Sequence, residues 1–168
     1  MKTQATQYIT RLLSSHAGFA SFLLRVPVGA ILAAHGAQKL FGWFGGYGLE
    51  ATGQWMASVG FEPGVLMAFL AGSAEFFGGL FLMLGLLTRP AALVAAFTML
   101  MAMTVHIGNG LFVSNHGYEF ALSLFAVTSS LVLLGGGRVS IDALILKYIT
   151  AQGKASQHHT SHPLVEHA

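Results

Sequence analysis

Between Ala17 and Leu134 the chain passes through four apolar stretches, Ala17–Phe41, Gly64–Leu87, Pro90–Ile107 and Tyr118–Leu134, that carry few charges. A helix needs roughly 20 residues to cross the ~30 Å hydrocarbon core of a bilayer. A charge at the centre of such a helix costs about 2.5–3.5 kcal/mol on insertion scales. The pattern therefore predicts an all-α fold, a four-helix transmembrane bundle. The third and fourth stretches are somewhat short, and Gly108–Val113 can lengthen the third. Composition agrees: 8% of residues are charged, against about a quarter in a soluble domain, too few to cover a water-facing surface. Lys2 and Arg11 ahead of the first stretch would also suit a secretory signal peptide, but Arg25 and Pro27 break the run and it is too long.

The placement of Lys and Arg predicts orientation. Lys2 and Arg11 precede the first span, Arg89 lies between the second and third, and Arg138, Lys147 and Lys154 follow the fourth. The two other loops hold Glu50 and Glu62 and no Lys or Arg, with Lys39 at the end of the first span. The positive-inside rule then puts both termini in the cytoplasm. The basic residues never form a run, so the net charge of +2 predicts no nucleic-acid partner. The absence of cysteine excludes disulfides, thiolate metal sites and dithiol redox chemistry in this chain.

Three segments are expected outside the spans. Residues 1–16 form a cytoplasmic N-terminal segment, residues 17–150 the membrane domain, and residues 151–168 a disordered, histidine-rich tail. Within the membrane domain, a short helix near Leu49–Val59 lies at the interface with Trp43, Tyr47 and Trp55. The tight Leu87-Thr88-Arg89-Pro90 turn makes spans two and three an antiparallel hairpin. After Gly135-Gly136-Gly137, Ser140 can cap a helix with Asp142 in its first turn. Ile141, Leu144, Ile145, Tyr148 and Ile149 then repeat at helical spacing, as in an amphipathic helix on the cytoplasmic membrane surface.

Polar groups inside the spans carry the functional signal, because such residues face the bundle interior and mark pathways, relays or ligand sites. Glu75 sits near the middle of span two, on one helical face with Ala68, Gly72 and Gly79. Small residues on that face allow close helix approach, and a carboxylate there needs a cation or donor. In span one, Arg25, Leu32 and Lys39 are heptad-spaced, with His35 near the same stripe. At 1.5 Å per residue, His35 lies about 9 Å inside the outer end of its helix and Glu75 about 15 Å inside its own, so the two can meet. Lys39 then lies above them, free either to join or to snorkel to the headgroups. Arg25 is nearer the cytoplasmic boundary and is expected in a structural ion pair or with headgroups. His106 ends span three, and Asn109, His116 and Glu119 lie in or beside the next loop. The expected site is a polar pocket open to the outer face, formed by His35, Lys39, Glu75, His106 and Glu119 with Asn109 nearby. A haem held between His35 and His106, and a metal ion on His35, His106, His116 and Glu119, are the alternatives.

The chain also resembles the DoxX family of bacterial membrane proteins, over roughly Phe22 to Leu144. The likeness rests on Arg25 to Gly29, His35-Gly36-Ala37-Gln38-Lys39-Leu40-Phe41, Gly45-Gly46-Tyr47-Gly48-Leu49, Gly60-Phe61 before Pro63 and Glu75 before Gly78-Gly79. It continues through Leu84-Gly85-Leu86-Leu87-Thr88-Arg89, His106 before Gly110-Leu111-Phe112, Gly117-Tyr118-Glu119, and Gly135-Gly136-Gly137 with Ser140 and Asp142. The resemblance implies a four-helix membrane bundle and an association with membrane redox complexes, since relatives include a subunit of a thiosulfate:quinone oxidoreductase. With no cysteine and no nucleotide-binding fingerprint, redox chemistry here needs a bound quinone, haem or metal, or a partner subunit.

The leading expectation is thus a redox-associated subunit, oligomeric or joined to a partner subunit, whose pocket binds a quinone-like or other small lipophilic ligand. His35 and Lys39 donate to its oxygens, Glu75 accepts or relays a proton, and His106 and Glu119 form the outer wall. The rivals are a non-enzymatic scaffold in which the same groups hold the bundle together, and a small-molecule transporter, which four short spans without internal symmetry disfavour.

Overall fold

The computed structural model describes residues 4–160, all of the regular structure among them helical. In chain order the elements are α1 (Gln4–Leu13), α2 (Ala20–Phe41), α3 (Gly48–Ser58), α4 (Gly64–Leu84), α5 (Thr88–His106), α6 (Glu119–Leu134) and α7 (Ile141–Thr160). Three helices are long and apolar enough to cross a membrane: α2, α4, and α5 with the turn that follows it. α6 is apolar but has 16 residues, about 24 Å of helix.

The radial distribution of side chains is that of a membrane protein. On α5, Ala91, Ala92, Ala95, Ala96 and Met99 are buried, while Leu93, Val94, Phe97 and Leu100 point outward. Small residues at helix contacts and large apolar ones on the periphery suit a lipid solvent, where burying Leu or Phe brings no hydrophobic gain and close backbone approach does.

The most intimate contact joins α2 and α4, which run antiparallel. Gly29 faces Gly79 and Gly36 faces Gly72, and a Cβ on either α2 glycine would come within 2.6 Å of the opposing carbonyl oxygen. The Ala68, Gly72, Glu75 and Gly79 face of α4 is buried here, as its spacing predicts. The level of the two helices differs from the sequence expectation. Gly72 lies beside Lys39 and Leu40 near the end of α2, while Gly64 and Val65 pack on Gly53 of α3. The first two turns of α4 therefore extend past α2 and are covered by α3. Glu75 is level with the last turns of α2 instead of one turn deeper than His35.

α4 ends in a Schellman turn: Gly85 is left-handed at φ 66°, its N–H donates to Leu82 O, and the Leu86 N–H donates to Phe81 O. α5 follows at once, forming the expected hairpin. Ser140 caps α7, accepting from the Ala143 N–H at 3.1 Å. Two segments are more helical than expected. Residues 4–13 form α1, which packs beside α7 and α5. α7 continues past Ala151 to Thr160, because no Gly-Pro break interrupts it before Pro163. His162 and His167 lie outside the described residues.

Candidate functional site

Two polar clusters occupy opposite ends of α2. At the end nearest α1 and α7, Arg25 is 1% exposed. Its Nε donates to Gly136 O at 3.1 Å, one terminal nitrogen to Leu82 O at 2.8 Å and to Met83 O, and the other to Val139 O. Its partners are backbone carbonyls at the end of α4 and in the connection that follows α6, so the expected ion pair is replaced by a cage of main-chain acceptors. Ser21 Oγ donates to Gly135 O, Ser15 Oγ to Leu134 O at 2.5 Å, and Arg89 to Val132 O and Ser14 O. Asp142 is also 1% exposed. Its carboxylate accepts from the Leu87 and Thr88 N–H groups at 2.7 and 2.9 Å, capping α5 from another helix.

At the other end the arrangement is open. A cavity of about 250 Å3 lies between α2, α4, α5, α6 and the connection 107–118. His35, Lys39, Glu75, His106 and His116 line it together with the apolar Leu32, Met99, Phe120 and Leu124. Glu75 is buried, and its carboxylate receives Lys39 Nζ at 2.5 Å, the salt bridge found among the described residues. The raised position of α4 makes this possible: with Glu75 level with the end of α2, Lys39 turns inward and does not snorkel. A buried carboxylate is tolerable when a cation meets it.

His35 stands with its ring 5.5 Å from that of Phe120, tilted by 51°. Neither His35 nor His106 spends a ring nitrogen on a hydrogen bond to the described residues, so both keep a donor and an acceptor available. Glu119 and Asn109 are not among the lining residues. The Glu119 carboxylate turns back to accept from the Val113 N–H at 2.6 Å, and Asn109 Nδ2 donates to His116 O at 3.2 Å. Both brace the connection, which is further tied by Tyr118 N–H to Gly110 O and Glu119 N–H to Leu111 O. The cap of the cavity is thus held in shape by two residues that sequence reading placed in its wall. Among the described residues no three His, Asp or Glu side chains converge as a metal site would require.

The site combines a paired charge, two uncommitted imidazoles and an apolar floor. It can hold a small uncharged ring, donate to its polar atoms and supply a proton from Glu75 or a histidine. Leu32, Met99, Phe120 and Leu124 were not legible as site residues, since apolar side chains within spans look alike. Their one signal is helical phase, Leu32 being one turn from His35 and Leu124 one turn from Phe120.

Comparison with known proteins agrees with this architecture. No solved structure matches the chain. A Bacillus subtilis (strain 168) protein named "Putative oxidoreductase CatD" is 28% identical over 127 residues, covering 76% of this chain and 87% of that one. The DoxX family pattern matches residues 20–107, from the start of α2 through α5. The chain is a membrane protein of the DoxX family.

Proposed function

We propose that this protein is a redox-associated subunit of the bacterial inner membrane that binds a quinone-like or similar small lipophilic molecule in the cavity beside Glu75. In this reading α6 is the fourth span of a transmembrane bundle, both termini are cytoplasmic, and the cavity opens toward the outer face. The observation that carries the reading is the pairing of unspent imidazoles with an apolar floor. A site that serves only to glue helices has no reason to leave both His35 and His106 facing a cavity without a partner in the bundle.

A cavity of about 250 Å3 lies below the usual small-molecule range, which leaves room for a single ring and not for a longer ligand. Leu32, Met99, Phe120 and Leu124 would contact the ring faces, and His35 and Lys39 would donate to its oxygens. A quinone supplies a two-electron carbonyl acceptor when bound. Preorganised donors aimed at such an oxygen act strongly in a low-dielectric site. Glu75, relieved of Lys39 by that contact, is placed to hold or pass a proton, with His106 and His116 on the side of the cap. The B. subtilis relative's name supports a redox association. Electrons would come from or go to a partner subunit, or another copy in an oligomer, because this chain has no cysteine or nucleotide fingerprint.

A second reading, a scaffold subunit, is favoured by one observation: Lys39 and Glu75 already satisfy each other. The visible spectrum and an organic extract of the purified protein separate the two. A quinone in the extract, lost in Glu75→Gln while the protein stays folded, is the expected result. A Soret band would replace the quinone by haem, and an empty extract with no response to added quinone would leave the scaffold.

A further inference from the structure

Beside the cavity lies a second, larger recess of about 530 Å3, lined by Gln38, Lys39, Gly46, Tyr47, Ala51 and Trp55 with their neighbours. It lies between the end of α2, the turn at Trp43–Gly45 and α3. Lys39 is common to the two linings, so its side chain is the partition between them. The recess is built, not incidental. Gly46 packs directly on the Gln38 backbone, where a Cβ would overlap it, and Gln38 Nε2 holds the turn by donating to Phe44 O at 3.2 Å. Its rim is aromatic and open, with Tyr47 86% and Trp55 45% exposed. Exposed Trp and Tyr collect at the membrane–water interface, where one edge meets acyl chains and the other headgroups.

The inner cavity alone falls below the usual 300–1,000 Å3 of a small-molecule site, and the two together fall within it. We infer that the recess under α3 is a second subsite of the same ligand, receiving an apolar tail whose ring lies in the inner cavity, with Lys39 as the gate between them. This rests on the reading of the inner cavity as a lipophile site. The ligand class it names is a ring-headed amphiphile that enters from the bilayer between α2 and α3, its tail passing over Gly46 and along Ala51 and Trp55. Lys39 must swing from Glu75 toward the ring oxygen to admit it, so tail entry and the transfer of Lys39 from Glu75 to the ligand are one event.

The chain has no cysteine, so single cysteines report on each chamber in the full-length protein. Ala102→Cys places a thiol in the lining of the inner cavity and Ala51→Cys one in the recess. The probes are a fully substituted benzoquinone without a tail and the same ring with a decyl tail, competing with a small methanethiosulfonate reagent in detergent micelles. At about ten times its Kd, a bound probe slows modification about tenfold. Expected is protection of the inner thiol by both probes and of the Ala51→Cys thiol by the tailed one only. Protection of the inner thiol by both probes with the recess thiol unprotected by either overturns the tail subsite and leaves the inner site standing. Equal protection of the recess thiol by both probes also overturns it, since the ring would then occupy the recess. If neither thiol is protected by either probe, the inner site fails and this inference with it.

Discussion

α2 carries a cation at each end, and the two are used in opposite ways. Arg25 and Lys39 are fourteen residues apart on one stripe, about four turns. Arg25 spends four hydrogen bonds on backbone carbonyls, two at the end of α4 and two in the connection after α6, so each of its own nitrogens is committed. Lys39 makes one contact, to a carboxylate, and faces two recesses lined by groups without partners. The choice of cation fits the task. A guanidinium offers a fixed fork of donors that can close several orphan carbonyls at once, whereas an ammonium on a flexible stem can change partners. A cation with every nitrogen committed fixes a structure, and one with a single partner beside open cavities is where a ligand or a proton can be accommodated.

The largest expected effect tests the closed end. Arg25→Ala removes the donor from the carbonyls of Met83, Gly136 and Val139 in a buried site, while Leu82 O keeps the Gly85 N–H. Each buried acceptor left unsatisfied costs about 1–3 kcal/mol. Thermal unfolding in detergent should show a large loss of stability, and Arg25→Lys should recover only a minor part because one ammonium cannot reach four acceptors. If Arg25→Ala unfolds like the unmodified protein, the cage is not a latch and the contrast between the two ends disappears.

The next effect is smaller because the open end has an escape. Lys39→Met leaves Glu75 buried without a cation, and uptake of a proton limits the cost to about 1–3 kcal/mol. Adding Glu75→Gln removes the stranded charge. The double variant should return to within about 1 kcal/mol of the unmodified protein, a coupling expected of residues in direct contact. Quinone binding, followed by equilibrium titration, should be lost in both the single and the double variant. Recovery of binding together with stability in the double variant would show that the pair holds the helices and does nothing to a ligand.

Much of this contrast could be read from the sequence, and the remainder fails for identifiable reasons. The apolar runs and their Gly and Pro boundaries place α2, α4, α5 and α6 within a few residues of their observed ends, because lipid enforces helix over the whole run. The heptad spacing of Arg25, Leu32 and Lys39 sets them on one stripe of α2, with Arg25 and Leu32 buried and Lys39 half-buried. What each cation meets depends on the relative height of neighbouring helices, and periodicity carries no such information. The two-turn rise of α4 is set by Gly53 of α3 packing on Gly64 and Val65. Without it, snorkelling and pairing are equally reasonable for Lys39. Asp142 fails in the same way: its position in the first turn of α7 reads as a local helix-dipole partner, while its carboxylate reaches the amides that start α5. Glu119 and Asn109 do not line the cavity, because the direction of such a side chain is decided by which groups of the loop lack partners.

The smallest expected change in stability is also the sharpest test of the difference between the ends. His35 faces the cavity and makes no hydrogen bond to the described residues, so removing its imidazole orphans nothing in the protein. His35→Leu should leave thermal stability within about 0.5 kcal/mol, as for substitutions away from committed contacts. If His35 donates to the bound ring, affinity should fall about tenfold, the scale of one lost hydrogen bond in a dry site. The two readouts must separate: unfolding by temperature stays fixed while the titration midpoint moves. A variant that loses stability as Lys39→Met does, with binding unchanged, would mean that His35 packs against Phe120 as structure alone. The end of α2 at Lys39 would then be a looser version of the latch at Arg25, and the cavity a packing defect between helices of unequal height.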